Sequence, residues 1–593
     1  MQPIVIREAP ATTPLPGGKR DDSMPNVRDG VDQNNKEPVL RVANIQGNVL
    51  GGFNKDHQMM LYLGIDDAYT FREWLSMQVP FVSTAAEVIA FNRLFKAMRS
   101  RRKREGYVKA TWFNIAFSYE GLLKLNNEAE QFTDQSFKDG LLLRSAELGD
   151  PQDGRPGDPR GWLVGGVDNP ADVVLIIAAD ERCDMLAEAD RLIDSLVEFR
   201  RSDGSLATGG ATIIFWDEAA NLPPPIAGHE HFGFLDGVSH PGVRGTVSDD
   251  PTDLLTPRQN PNEPHKADAP GQGKPGQDVL WPGEFVFGYR GGDPTEFEKP
   301  TKDEILGGPE WTRDGSLLVI RRLHQNVAGF HSFLKQTAKA NGIASTPNSS
   351  PARYVGSRLV GRWPSGCPIL RSPGDDIFAI GGDDCANNNF EFDGGTKKIT
   401  GPQPDGMCGD DTHFPNSNGD PKGEICPFSG HIRKSYPRDD ISITKGIDPD
   451  PDGCGGARNR LEENDTQKHR MLRRGIPYGP VSPSSIDSPV PDDVDRGLQF
   501  LSFQTSIVNQ FEFIIRCWVN NPDFKEKTSG DRPNNTGHDP IIGQSPDGNR
   551  QFDLALQDGS TKRLTTDENW VWATGGGYFF TPSIDALANH LSG

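Results

Sequence analysis

The chain has no apolar run near the roughly 20 residues that a membrane-spanning helix needs, so no span is expected anywhere in its 593 residues. Its opening, MQPIVIREAPATTPLPGGKRDD, lacks the basic n-region followed by an apolar h-region that marks a signal peptide. A cytoplasmic or otherwise intracellular protein is therefore expected, with secretion left open. Cysteine is scarce: seven residues, Cys183, Cys367, Cys385, Cys408, Cys426, Cys454 and Cys517, with no C-x-x-C pair. That argues against a zinc ribbon or a thioredoxin-type site. Reduced, mostly structural thiols are the preferred reading, with room for a disulfide in the loop-rich stretch 367–454. Positive charge is also short, 62 Lys and Arg against 83 Asp and Glu, a net −21. So acidic a chain suits neither nucleic acid nor an anionic membrane surface; neutral or cationic small molecules remain.

What is abundant is turn chemistry. The 66 glycines and 48 prolines, with 35% apolar residues, describe a loop-rich globular protein. Residues 1–38 have no apolar period and read as a disordered or surface-draped arm. In 39–235 the pattern predicts strands at 58–63, 107–117, 173–178 and 211–216. Helices are expected at 67–77, 85–103, 118–125 and 183–196. Strand, helix, strand, strand, helix, strand is the order of a ferredoxin-like α+β unit. Residues 236–282 are loop-rich. In 283–593, strands expected at 283–289, 315–322, 498–503 and 510–519, with helices at 324–341 and 583–591, fit a second such unit with long insertions.

Three strings carry ionisable groups in unusual settings. In 228–241, GHEHFGFLDGVSHP, Asp236 lies between Phe234-Leu235 and Gly237-Val238. Burial among apolar neighbours pushes a carboxyl pKa upward, so this acid can exchange a proton near its working pH. Gly233 and Gly237 allow a tight turn or close approach to a flat ligand. A solvated turn aspartate has the same pattern. His229, His231 and His240 crowd this loop, and with Glu230 they leave a metal site as a minor alternative. In CPFSGHIRKSYPR (426–438), His431 precedes the cations Arg433, Lys434 and Arg438. A neutral imidazole can ligate iron through one nitrogen and donate through the other, but the residues alone favour a structural histidine. In RRGIPYGP (473–480), basic residues before Gly475 and Pro477 have the pattern of a helix C-terminus, which still allows one arginine to point inward.

GFLDGVSHP resembles the signature of the dye-decolorizing peroxidases, a family of haem enzymes. The other two strings and GLQFLSFQTSIVNQFEFIIRCWVNNPDF (497–524) resemble it too, in the family's order, and weaker similarity extends from 44–53 to 575–587. The resemblance implies two ferredoxin-like halves forming an α+β barrel with long loop insertions, holding one haem b per chain. It implies His431 as the proximal iron ligand, with Asp539 of HDPIIGQ hydrogen-bonded to its far nitrogen and Arg433 and Arg438 beside the haem carboxylates. Asp236 matches the distal proton-transfer group, and Arg473, rather than Arg474, the distal charge that supports peroxide cleavage. Leu498 and Phe500 match apolar flanks of the distal pocket. Trp518 and Tyr478 match positions linked to radical transfer toward the surface. The implied reaction uses H2O2 to oxidise bulky phenolic or dye-like aromatic donors by one-electron steps. The alternative is a haem- or porphyrin-handling protein, a carrier or porphyrin-modifying enzyme, with little peroxidase turnover. The piece 448–470 is longer than in short family members. Its DPDPDG start imitates a calcium loop, but the prolines and Asn459 at the twelfth position argue against one, so it is read as a surface insertion.

Overall fold

A computed structural model describes residues 37–593 apart from 103–107, 202, 249–252, 257–272, 294–296, 298, 397–407, 409–413, 441–462, 526–535, 545–549 and 567. The expected N-terminal arm up to residue 36 and the first part of the 448–470 insertion lie outside the described residues.

Nine antiparallel strands build the principal sheet: β1 (His57–Ile65), β2 (Thr111–Phe117), β3 (Val173–Ala179), β4 (Ala211–Ala220), β5 (Ser316–Gln325), β6 (Leu472–Arg473), β7 (Ile476–Tyr478), β8 (Gly497–Gln504) and β9 (Val571–Thr581). The first four stand in the order β2-β3-β1-β4, and the second set in the order β9-β5-β8-β7. Each is a ferredoxin-like half in which the two central strands are the first and third of the set. The halves join at both ends: Tyr478 of β7 pairs with Ala219 of β4, and Phe580 of β9 pairs with Phe117 of β2. The sheet therefore closes into an α+β barrel, which leaves no long free edge.

The residues explain the strands. VVLIIAA of β3 is buried throughout, as a continuous apolar run covered on both faces should be. Alternate side chains of β1 part company: Met59, Leu61 and Leu63 pack with Phe71, Trp74 and Leu75 of the helix Ala68–Gln78, while Met60 and Tyr62 pack with Ile176 and Phe579. Ser118 caps the helix Tyr119–Leu125 by accepting from Gly121 N.

Three expectations are corrected. The stretch 283–289 is no strand: Pro282 opens a tight helical turn at Pro282–Glu284, and extended pairing begins only at Tyr289. The stretch 510–519 belongs to a helical segment, Ile507–Glu512 followed by Ile514–Val519 with wide π-type turns. Its buried Ile507, Phe511, Ile514 and Trp518 recur at spacings of three and four, a helical period. The thiols are not all reduced: Cys385 and Cys408 form a disulfide, and Cys517 is disulfide-bonded as well; among the described residues Cys183, Cys367 and Cys426 are free.

Candidate active site

The 228–241 loop is folded around a carboxylate. Glu230 accepts from Phe232 N (2.7 Å), Phe234 N (3.1 Å) and Gln325 Nε2 (2.7 Å). Gly233, between them, takes a φ of +86°, which favours glycine. Phe232 and Phe234 are buried anchors against Phe330, and His231 Nε2 donates to the Tyr478 carbonyl at 2.9 Å. This bracing presents Asp236 to a cavity of about 580 Å³. Gly237 lines the same space, and a Cβ there would meet nothing.

The opposite group is His431, first residue of the short helix His431–Ser435. At about 100° of rotation per residue, His431, Ile432 and Ser435 line the cavity, while Arg433 and Lys434 turn away. Arg433 is thus corrected as a cavity residue: its guanidinium is buried on Asp440 (2.6 Å) and Asp420 (3.2 Å). Lys434 is also turned away, donating to the Asn521 and Phe524 carbonyls. Arg438 does line the cavity, held by the Phe390 carbonyl (2.7 Å) and Asn388 Oδ1 (2.5 Å).

Asp539 is fully buried. One oxygen accepts from Ile541 N and Ile542 N, and the other receives the His431 Nδ1 proton at 2.7 Å. With Nδ1 so engaged, Nε2 faces the cavity, where it pairs with Asp236 Oδ2 at 3.4 Å. Burial alone would pull the imidazole pKa down, but the two carboxylates outweigh it and raise it to about 10. Burial pushes Asp236 up, as expected from its neighbours. The His431 hydrogen bond and charge, then Arg473 and Arg362, more than offset this, and the net shift is downward.

Arg473 reaches the cavity from β6, and its Nη2 donates to the Ser239 carbonyl at 3.0 Å. Arg474 instead staples the chain start through the Leu50, Asn48 and Val49 carbonyls. Leu498 and Phe500 face the cavity from alternate positions of β8, while Gln499 between them donates to Asp217. Trp518 and Tyr478 are each only 2% exposed, so neither ring reaches the surface as expected of a radical terminus. Trp518 stacks on Phe524 and meets His469 edge-on, and Tyr478 bonds Arg322 and Asp495. His229 Nε2 donates to the Pro364 carbonyl, and no group of three metal-ligating side chains converges among the described residues.

Sequence reasoning missed Arg362, a fully buried cation on the cavity wall held by the Gly366 carbonyl; nothing in its local string announces it. It also missed Asn48, on the cavity wall with a buried Nδ2 that has no partner among the described residues, although Asn48 lies in one of the similar segments.

The donor set fits a haem. Nε2 of His431 faces the space, the wall carries Arg362, Arg438, Arg470 and Arg473, and apolar side chains line much of the rest. The volume lies in the range of cofactor pockets, about 300–1,000 Å³. The His431–Asp236 contact must open to admit a flat group.

Residues 44–202 match the family profile described as "DyP dimeric alpha+beta barrel domain". The chain is 28% identical to a dye-decolorizing peroxidase of Mycena epipterygia, covering 93% of this chain and 87% of that one. It is 26% identical to the multifunctional dye peroxidase DyP2 of Amycolatopsis, covering 93% and 96%. Among solved structures it superposes on an ancestral D-type dye-decolorizing peroxidase with a TM-score of 0.68 at 29% identity, covering 94% and 100%. With the enzyme from Auricularia auricula-judae the TM-score is 0.65 at 27% identity, covering 93% and 99%. A barrel of this kind, with the Asp539-held His431 imidazole facing its cavity, is the scaffold of a peroxidase. Over 93% of its length the chain is similar to dye-decolorizing peroxidases, and that similarity implies a haem cofactor.

Proposed function

We propose that the chain uses H2O2 to oxidise bulky phenolic or dye-like donors by one-electron steps, with one haem b per chain. The observation that carries this reading is the His431 imidazole. Asp539 fixes its Nδ1, and its Nε2 faces Asp236 across a cavity that Arg473 shares. Bound haem supplies an iron that accepts the oxidising equivalents of peroxide and passes them on singly.

The residues do the rest. His431 Nε2 would ligate the iron, and the Asp539 carboxylate on Nδ1 would make it a more basic ligand. Asp236 would take a proton from one peroxide oxygen and return it to the other, which leaves as water. The charges of Arg473 and Arg362 favour its ionised form. Arg473, permanently charged, steadies negative charge as the O–O bond lengthens. Arg362 and Arg438 offer charge to the haem carboxylates. Leu498 and Phe500 keep bulk solvent from the peroxide.

The test is Asp236→Asn and Arg473→Leu against wild type, reading haem content and H2O2-dependent oxidation of an aromatic dye. Both variants should keep haem, and each should lose turnover by roughly 10²-fold or more. Unchanged turnover in Asp236→Asn would contradict the assignment. A haem-loaded wild type with no turnover would instead favour a carrier.

A further inference from the structure

The loop that presents Asp236 carries a further group for which the reaction just described assigns no part. Of its three histidines, His229 and His231 each donate to a main-chain carbonyl. His240 does neither. Its Nδ1 is buried without a hydrogen-bond partner, Nε2 makes none among the described residues, and the ring lines the cavity. A buried polar group without a partner is costly, and such groups concentrate where a ligand completes them.

The surroundings fix the ring's place and charge state. The His240 carbonyl accepts from Gln277 Nε2 at 3.2 Å, and Pro241 stiffens the chain just beyond it. The preceding residue, Ser239, holds Arg473 through its carbonyl, so ring and guanidinium are mounted on one piece of backbone. Burial, then the charges of Arg473, Arg474 and Arg470, hold the imidazole well below its ordinary pKa against the pull of Asp236. The ring is therefore neutral, with one nitrogen that donates and one that accepts. Hydrogen peroxide is a small neutral molecule that also both donates and accepts. A second cation would suit it less well than a neutral imidazole.

We propose that His240 is a peroxide-binding residue, hydrogen-bonding H2O2 beside Asp236 and Arg473 and setting affinity for peroxide rather than the rate of its cleavage. The inference rests on the peroxidase reading above. Its test uses the haem-loaded full chain and compares His240→Phe, which keeps a ring but no nitrogen, with His240→Gln, which restores a donor and an acceptor. His240→Phe should raise KM for H2O2 about tenfold, the scale of one hydrogen bond, with kcat changed less than about twofold and KM for the aromatic donor unchanged. His240→Gln should recover most of the loss. As a readout apart from turnover, cyanide affinity measured from the Soret shift should fall in His240→Phe and recover in His240→Gln. An unchanged KM for H2O2 in His240→Phe overturns the proposal. So does a loss that falls equally on kcat and both KM values, since that marks a structural role. If wild type itself takes up no haem or shows no turnover, the peroxidase reading fails and not this inference alone.

Discussion

Both oxygens of Asp539 are engaged, one by the Ile541 and Ile542 amides and the other by His431. Such a carboxylate cannot swing away, so it sets both the tautomer and the aim of the imidazole. Replacing it by Asn keeps the shape and removes the charge. Asp539→Asn should still bind haem, while peroxide turnover or haem affinity falls roughly 10- to 100-fold, measured by haem titration and steady-state kinetics side by side. Equal performance of the two proteins would deny Asp539 a part beyond packing. At this scale the strings around Asp236, His431 and Arg473 were legible in the sequence, and the structure brings these three side chains to one cavity. Arg433 was misjudged because a string of cations does not say which face each takes. Two residues along a helix is more than half a turn, and that rotation turns Arg433 onto Asp440. Arg362 was illegible because its place on the wall depends on distant chain.

The strands of the second half meet closely at the cavity rim. A Cβ on Gly497 would lie 1.9 Å from the Leu323 carbonyl oxygen of the neighbouring strand, so β8 approaches β5 as only glycine permits. Gly497→Ala should push these strands apart next to Leu498 and lower Tm by several degrees. Thermal unfolding measures this, and an unchanged Tm would show that the strand shifts without cost. Elements with one clear period were legible: β3 from its apolar run and the helix Arg182–Val197 from its helical spacing. The stretch 510–519 was not. A run apolar on nearly every side fits a buried strand or a buried helix equally well, and tertiary packing decided for the helix.

For the whole molecule, the order of elements pointed to two ferredoxin-like halves, but barrel closure depends on the Tyr478–Ala219 and Phe580–Phe117 pairings. These join residues hundreds of positions apart, which no local pattern encodes. The fold also buries carboxyls at an energetic cost. Burial pushes Glu284 up to about 7, against the hydrogen bond from Gly292 N. The unfolded chain releases this proton near pH 4.5, and the folded chain holds it until about pH 7. The folded state binds more protons across that window, so this group's contribution is full below it and is lost as pH rises through it. Stability of Glu284→Gln, followed by denaturant unfolding, should fall less than that of wild type between pH 4.5 and 7; parallel curves would refute the assignment. The central claim is that His431 is the ligand that holds haem between Asp539 and Asp236. It is tested most directly by titrating haem into wild type and His431→Ala and following the Soret band before and after one equivalent of H2O2. The account predicts that wild type binds haem stoichiometrically and responds to peroxide, whereas the variant binds weakly or with an altered band and does not respond. Identical spectra and responses in the two proteins would contradict it.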